Sequence, residues 1–172
     1  MAFQEERGIF RIMKNVKNGL RGILKSFQFA LRGLRFCILN ERNMRIHIVV
    51  LTIVLYFAAL FGLTESEWIL LVVVSALVLV CEMLNTAIEA LVNLGTSSYD
   101  NVARVAKDVA AGAVFLTAAM AVVVGCILFI KPDKLYALAC LVAERPLLAL
   151  PFIILLTAGP LFVLFGSRLK KQ

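Results

Sequence analysis

Long apolar stretches separated by short polar breaks run from Ile46 to Phe165. The first, Ile46–Leu63, is about 18 residues long, enough to span a bilayer as a helix. "TESE" (64–67) follows as a short acidic loop. Trp68, a residue favoured at membrane interfaces, opens a second run that continues as helix to Leu94. "GTSSYDN" (95–101) carries turn chemistry. "VARVAKD" (102–108) leads into a third run, Val109–Ile130, which "KPDK" (131–134) breaks. Leu135–Ala143 is short and suits an interfacial position. Pro146–Phe165 is a fourth apolar run, carrying Pro151 and Pro160, and "GSRLKKQ" follows it.

Before Ile46 the period changes. Leu20, Leu24, Phe27, Leu31, Leu34 and Ile38 recur at spacings of four and three, which stacks them on one face of a helix over residues 9–39. Lys14, Lys17, Arg21, Lys25, Arg32 and Arg35 form a second stripe, roughly 100° round the same helix. An apolar stripe beside a basic one suits a helix lying in the headgroup plane. These first 45 residues lack the short apolar core and cleavage site of a signal peptide.

Composition sharpens the class. Of the 172 residues, 62% are hydrophobic, against about 45–50% in soluble domains, and mean hydropathy is +0.93. The pattern predicts an all-α integral membrane protein, because lipid admits only helices or closed barrels as spanning structures. It has an N-terminal amphipathic surface helix (1–45), a three-span core (46–130) and a C-terminal extension with a fourth span (131–172). Ten of the 18 Lys and Arg residues precede Ile46. That bias points to the anionic cytoplasmic leaflet of a membrane rather than to nucleic acid. The positive-inside rule puts the N-terminus, Arg104, Lys107 and the C-terminal Arg168, Lys170 and Lys171 in the cytoplasm, and "TESE" outside. The two lysines of "KPDK" then fall outside, against the rule. A re-entrant Pro146–Phe165 would instead move the C-terminus outside. The four cysteines, Cys37, Cys81, Cys126 and Cys140, are widely spaced and read as small buried hydrophobes. His47 has no Cys or His partner nearby, which argues against a zinc site.

One stretch departs from the apolar pattern. In "CEMLNTAIEALVNL" (81–94), Glu82, Asn85 and Glu89 are spaced three and four apart. At 100° per residue they lie within about 60° of one another on one helix face. Counted from Trp68, Glu82 lies roughly 21 Å along the helix, inside a hydrocarbon core of about 30 Å. A carboxylate there costs about 2.5–3.5 kcal/mol on insertion scales and ordinarily faces a cavity or the bundle interior. The structural alternative is a polar cluster that binds helices together. Other charges converge on the same boundary: Glu41 and Arg45 before the first span, Lys107 and Asp108 before the third.

Several carboxylates and a lysine, without a His or Cys cluster, suit Mg²⁺ and a polyphosphate, since magnesium takes oxygen ligands and keeps substrate phosphates in its shell. A carboxylate at the depth of Glu82 suits a base acting on a hydroxyl at lipid depth. No GxxxxGK[ST] loop is present, so a nucleotide site would not be a P-loop. Taken alone, these residues indicate interfacial phosphoryl chemistry and leave a proton- or ion-coupled transporter open.

The same residues resemble the prokaryotic diacylglycerol kinase and undecaprenol kinase family of small membrane lipid kinases. "ExxNTAIEA" (82–90) looks like its signature, "AKD" (106–108) like its second motif, and "NERNMRIH" (40–47) like the segment before its first span. The resemblance covers roughly residues 20 to 130, and order, spacing and placement all agree. It implies a homotrimer with active sites shared between subunits, and transfer of the γ-phosphate of MgATP to a lipid hydroxyl on the cytoplasmic side. By position, Glu82 is then the general base, and Glu41 and Glu89 hold Mg²⁺ and so the ATP phosphates. Lys107 meets the phosphates, while Asn85 and Asp108 line the site, Asp108 near the nucleotide. "ERNMRIH" leans toward undecaprenol, with diacylglycerol the other candidate. Two departures stand out: Asn93 occupies a position where the family usually has aspartate, and about 40 residues follow the family's usual end. The competing expectations are a non-catalytic assembly or lipid-binding subunit and, behind it, a small transporter.

Overall fold

The computed structural model describes residues 2–95 and 101–166. The chain forms two compact units, Met1–Phe36 and Cys37–Gln172. Six α-helices follow in order: α1 (Ala2–Asn40), α2 (Arg42–Phe61), α3 (Glu65–Gly95), α4 (Asn101–Phe129), α5 (Pro132–Glu144) and α6 (Leu150–Phe165), with a 3₁₀ turn at Pro146–Ala149 before α6. The described residues contain no strand. Most of the loop expected at 95–101 and the basic residues 168–171 lie outside the described residues, as do the side chains of Lys14, Lys17 and Leu20.

The first unit is α1 up to Phe36. Leu24, Phe27 and Leu31 are exposed on it, and so are Arg21, Lys25, Arg32 and Arg35. Arg32, of the basic stripe, lies 5.5 Å from the centroid of the Phe29 ring, a cation–π contact one turn back along the helix. The last turn, Cys37–Asn40, belongs to the second unit.

Four helical segments are long and apolar enough to cross a membrane: Arg42–Phe61, Glu65–Leu94, Asn101–Phe129 and Pro146–Phe165. α3 and α4 make the most extensive pair, and α2 packs against both α3 and α6. At one end of the bundle Ala58, Leu71 and Leu128 form a buried cluster, flanked by Val54, Trp68 and Val124. Phe57, Phe61 and Phe129 close it as an aromatic trio. The Phe57–Phe61 rings stack with centroids 5.5 Å apart, and Phe129 meets them edge-on at 5.1 and 5.3 Å, a favoured geometry for ring quadrupoles.

The polar breaks at that end are more ordered than the sequence suggested. "TESE" is mostly helix: Thr64 and Glu67 form a reciprocal capping box, in which the Thr64 N–H donates to Glu67 Oε2 at 2.8 Å and the Glu67 N–H donates to Thr64 Oγ1 at 3.4 Å. "KPDK" starts α5, with Pro132 at its first turn where a missing N–H costs nothing. The two lysines that ran against the charge rule are both engaged. Lys131 pairs with Glu67. Lys134 donates to the Gly62 carbonyl at 2.6 Å and lies 5.6 Å from the Phe61 ring centroid. Gly62 ends α2 in the left-handed region (φ 69°, ψ 56°), a helix terminus that glycine adopts without Cβ strain.

The C-terminal extension lies along α2. Near the Phe61 end the Tyr56 hydroxyl donates to the Leu148 carbonyl at 2.7 Å. Toward the Glu41 end Arg45 Nε donates to the Val163 carbonyl at 3.2 Å. The segment Pro146–Phe165 therefore runs antiparallel to α2 as one traverse, not as a re-entrant turn. Gly159 allows the closest approach: a Cβ there would lie 2.6 Å from Val49 Cγ1. Val49 is β-branched and stiff at χ1, so it cannot easily swing aside. We predict that Gly159→Leu destabilises the folded protein in detergent by about 1–3 kcal/mol, the usual cost of overpacking. A lowered thermal unfolding midpoint with unchanged helix content by circular dichroism would verify this.

Candidate active site

α3 is 31 residues long. At 1.5 Å per residue that is roughly 46 Å, longer than the hydrocarbon core, so one end of the helix must emerge from it. A row of polar side chains marks the emergence: Glu82, Asn85, Glu89 and Asn93, spaced three, four and four. Burial falls along the row. Glu82 is 1% exposed and Asn85 7%, whereas Glu89 is half-buried and Asn93 exposed.

The row is internally organised. Asn85 Nδ2 donates to Glu89 Oε1 at 3.0 Å, a contact between successive turns that orients both groups. Thr86, also buried, satisfies its hydroxyl by donating to the Glu82 carbonyl at 3.0 Å. The side-chain oxygens Glu82 Oε2 and Asn85 Oδ1 are buried with no hydrogen-bond partner. Buried polar atoms are nearly always paired, and an orphan in a native structure marks strain or a place for a ligand.

Elements outside α3 supply the surroundings. Glu41 stands between α1 and α2 with an extended backbone (φ −99°, ψ 121°). The charges that act on Glu82 are those of Glu41 and Glu89, so the three carboxylates share one electrostatic neighbourhood. Cys37, in the last turn of α1, is buried beside Thr86. Burial pushes its thiol above the ordinary range, the Thr86 hydrogen bond works against this, and the charges of Glu41 and Glu82 add to it. Lys107 reaches the far end of the row, where its ammonium donates to Asn93 Oδ1 at 2.7 Å. Asp108 lies apart, its side chain 72% exposed and 3.9 Å from Arg104 Nε. The guanidinium of Arg45 is 3% exposed and turned to backbone carbonyls. A groove of about 500 Å³ between α3 and α4 has the Asn85 amide on a wall otherwise formed by apolar residues such as Leu84, Ile88 and Val109.

Glu82, Asn85 and Glu89 thus share one face of α3, Glu41 acts on Glu82 through its charge, and Lys107 meets the exposed end of the row through Asn93. Asp108 is not among the groups brought together. Sequence reasoning did not single out Thr86, although it lies one turn after Glu82. Nor did it pair Cys37 with Thr86, or Asn93 with Lys107, since these contacts are set by packing. Among the described residues no three His, Cys, Asp or Glu side chains converge closely enough to hold a metal ion by themselves.

Four helices apolar and long enough to span, with a carboxylate–amide–lysine row along one of them, define a helical membrane protein with a polar site at the end of its bundle, and the comparisons with known proteins give its class. Residues 28–129 match the family model for prokaryotic diacylglycerol kinase, and the chain belongs to that family. It is 38% identical over 122 residues to a diacylglycerol kinase of Synechocystis sp., covering 70% of each chain. It is 35% identical over 117 residues to the undecaprenol kinase of Bacillus subtilis, covering 68% of this chain and 95% of that protein. The diacylglycerol kinase of Escherichia coli (strain K12) is 32% identical over 116 residues, covering 67% and 95%. The protein is accordingly a lipid kinase, a transferase whose family implies a lipid substrate and a nucleotide. The family match ends at Phe129, the last residue of α4, so α5 and α6 lie beyond it.

The buried thiol and the exposed Cys140 on α5 make a contrast that labelling can read. Only the thiolate reacts, and both burial and a raised pKa reduce it. At pH 8 a water-soluble maleimide is expected to modify Cys140 at least about tenfold faster than Cys37 in folded protein, with the difference lost on denaturation. Mass spectrometry of single-cysteine variants measures both rates.

Proposed function

We propose that this protein phosphorylates a membrane lipid alcohol, undecaprenol or diacylglycerol, at the cytoplasmic face of the bacterial inner membrane, with ATP as donor. The observation that carries the reading is Glu82: a carboxylate 1% exposed, one oxygen unpartnered, under the charges of Glu41 at the α1–α2 junction and Glu89 further along α3. The oxygen that would accept a proton is held away from bulk water and from competing donors. Water excluded from such a site cannot intercept the phosphoryl group.

In this reading Glu82 is the general base. The lipid hydroxyl loses its proton to the Glu82 carboxylate while its oxygen forms a bond to the γ-phosphorus. The bond from that phosphorus to the bridging oxygen of ADP breaks in line, and ADP departs. Glu41 and Glu89 would hold Mg²⁺. Their fit is that of an incomplete oxygen donor set, since two carboxylates with phosphate and water oxygens completing the shell is how magnesium is commonly bound. When bound there, the ion neutralises phosphate charge. Lys107 supplies a further cation to the phosphates. Asn93 holds that ammonium through an amide oxygen, so the positive charge is oriented without being neutralised. Asn85 positions Glu89 and presents its free Oδ1 within the site. Asp108, exposed one residue on from Lys107, would meet the outer part of the nucleotide. The α3–α4 groove gives a lipid chain an apolar bed beside Asn85. The assembly we read is the family's homotrimer, with sites completed between subunits.

Two outcomes test the assignment. Purified protein in mixed micelles with Mg²⁺ and ATP is offered undecaprenol and diacylglycerol separately, and labelled lipid phosphate is measured. Glu82→Ala is expected to lower the turnover by about 10²–10⁴-fold, the usual share of general-base catalysis, with folding intact. Activity above roughly a tenth of wild type would remove Glu82 from that role. Lys107→Ala is expected to raise the ATP concentration at half-saturation by about tenfold or more, as loss of a charge-assisted phosphate contact requires. Unchanged ATP dependence would sink the phosphate-binding role, and a transport assay unaffected by the same substitution would favour a transporter.

A further inference from the structure

The fourth span contributes no group to the chemistry above, yet its end is built into the junction that carries Glu41. α1 and α2 are separated by that single residue, whose backbone is extended. A break of this kind leaves the last carbonyls of α1 without intrahelical partners. It also makes the direction of the Glu41 side chain depend on how the last turn of α1, Cys37–Asn40, is held at the start of α2.

Arg45 closes the junction. From the first turn of α2 its side chain reaches back to the end of α1, where Nη1 donates to the Ile38 and Leu39 carbonyls, both at 3.1 Å. Nε donates to Val163, in the last turn of α6, at 3.2 Å. One planar guanidinium therefore caps the C-terminal ends of two helices, each of which carries partial negative charge. A lysine is a point donor and cannot span that fork. Gly166 completes the fit: a Cβ at this position would stand 2.7 Å from Arg45 Cδ and 3.1 Å from Nε. Every atom of the latch comes from Arg45, the end of α1 and the end of the extension. Cys37, one turn before Glu41, rests beside Thr86 of α3, so a shift at the junction is felt next to Glu82.

We infer that the fourth span is a positioning element for the active site: the end of α6 holds Arg45, Arg45 holds the last turn of α1, and that hold fixes the direction of Glu41. The inference rests on the reading of Glu41 as a group that holds Mg²⁺ with the ATP phosphates. Arg45 touches neither nucleotide nor lipid in this arrangement and is a positioning residue.

The test uses full-length protein in detergent micelles, comparing wild type with Gly166→Leu, which pushes into the Arg45 side chain, and Arg45→Lys, which keeps the charge and loses the fork. Hydrogen exchange is followed without ligand at the Glu41 and Arg45 amides, which donate to the Cys37 and Glu41 carbonyls at 2.8 and 3.4 Å. Both variants are expected to exchange there roughly tenfold faster, as local opening of a latched junction requires. In lipid phosphorylation the Mg²⁺ concentration at half-saturation is expected to rise about fivefold, while turnover at saturating Mg²⁺ changes by less than about twofold. Unchanged exchange in both variants overturns the inference, as does a fall in turnover with no shift in the Mg²⁺ midpoint. A wild type that phosphorylates no lipid would overturn the kinase reading and with it the positioning of a metal ligand. Faster exchange in that case would identify the latch as structural only.

Discussion

Hydrocarbon offers no water to a polar group, and this constraint organises the whole bundle. Its consequences are visible side chain by side chain. Thr52, Thr117 and Thr157 each return their hydroxyl to the carbonyl four residues earlier, at 2.8, 3.0 and 2.9 Å. Tyr56 gives its hydroxyl to Leu148 of the extension, and Arg45 spends its guanidinium on three carbonyls rather than on a carboxylate. Against this background the free oxygens of Glu82 and Asn85 are conspicuous because they sit within one turn of each other. A fold that satisfies its threonines so consistently leaves two acceptors open at the place where the family's chemistry is expected.

The length of α3 turns that constraint into a gradient. A helix longer than the hydrocarbon must carry its face from lipid to water, and the row from Glu82 to Asn93 follows this change step by step. The buried end suits proton transfer from a hydroxyl held in the membrane. The exposed end suits a charged, water-borne phosphate donor, and Lys107 meets the row there. A lipid kinase must join two substrates that do not share a solvent, and a single emerging helix face supplies both environments. The opposite end of the bundle has a different task. Glu67, Lys131, Lys134 and the left-handed Gly62 tie the ends of α2, α3 and α5 together, which gives both lysines of "KPDK" partners and one of them a counter-charge.

Much of this was legible beforehand because lipid removes alternatives. Four apolar runs could only be helices, and all four appear as spans. The site row was legible because Glu82, Asn85 and Glu89 lie on one helix, where spacing alone fixes which side chains share a face. The errors were local. "TESE" and "KPDK" read as breaks because their composition is polar, whereas capping chemistry makes them the starts of helices. The directions of Lys107 and Asp108 were not legible, since neighbours on a helix point about 100° apart: Lys107 bonds Asn93 of α3, and Asp108 lies by Arg104.

By itself, the sequence determined the helical class, the first three apolar runs, the face of α3 that carries the carboxylates and the family motifs, since each depends on local period or on composition. Tertiary structure alone decided which distant groups meet. Lys107 and Asn93 are 14 residues apart, and Arg45 and Val163 are 118 apart. No local period encodes such pairs, because they exist only once helices have packed and a buried donor must find whichever carbonyl the packing has left free.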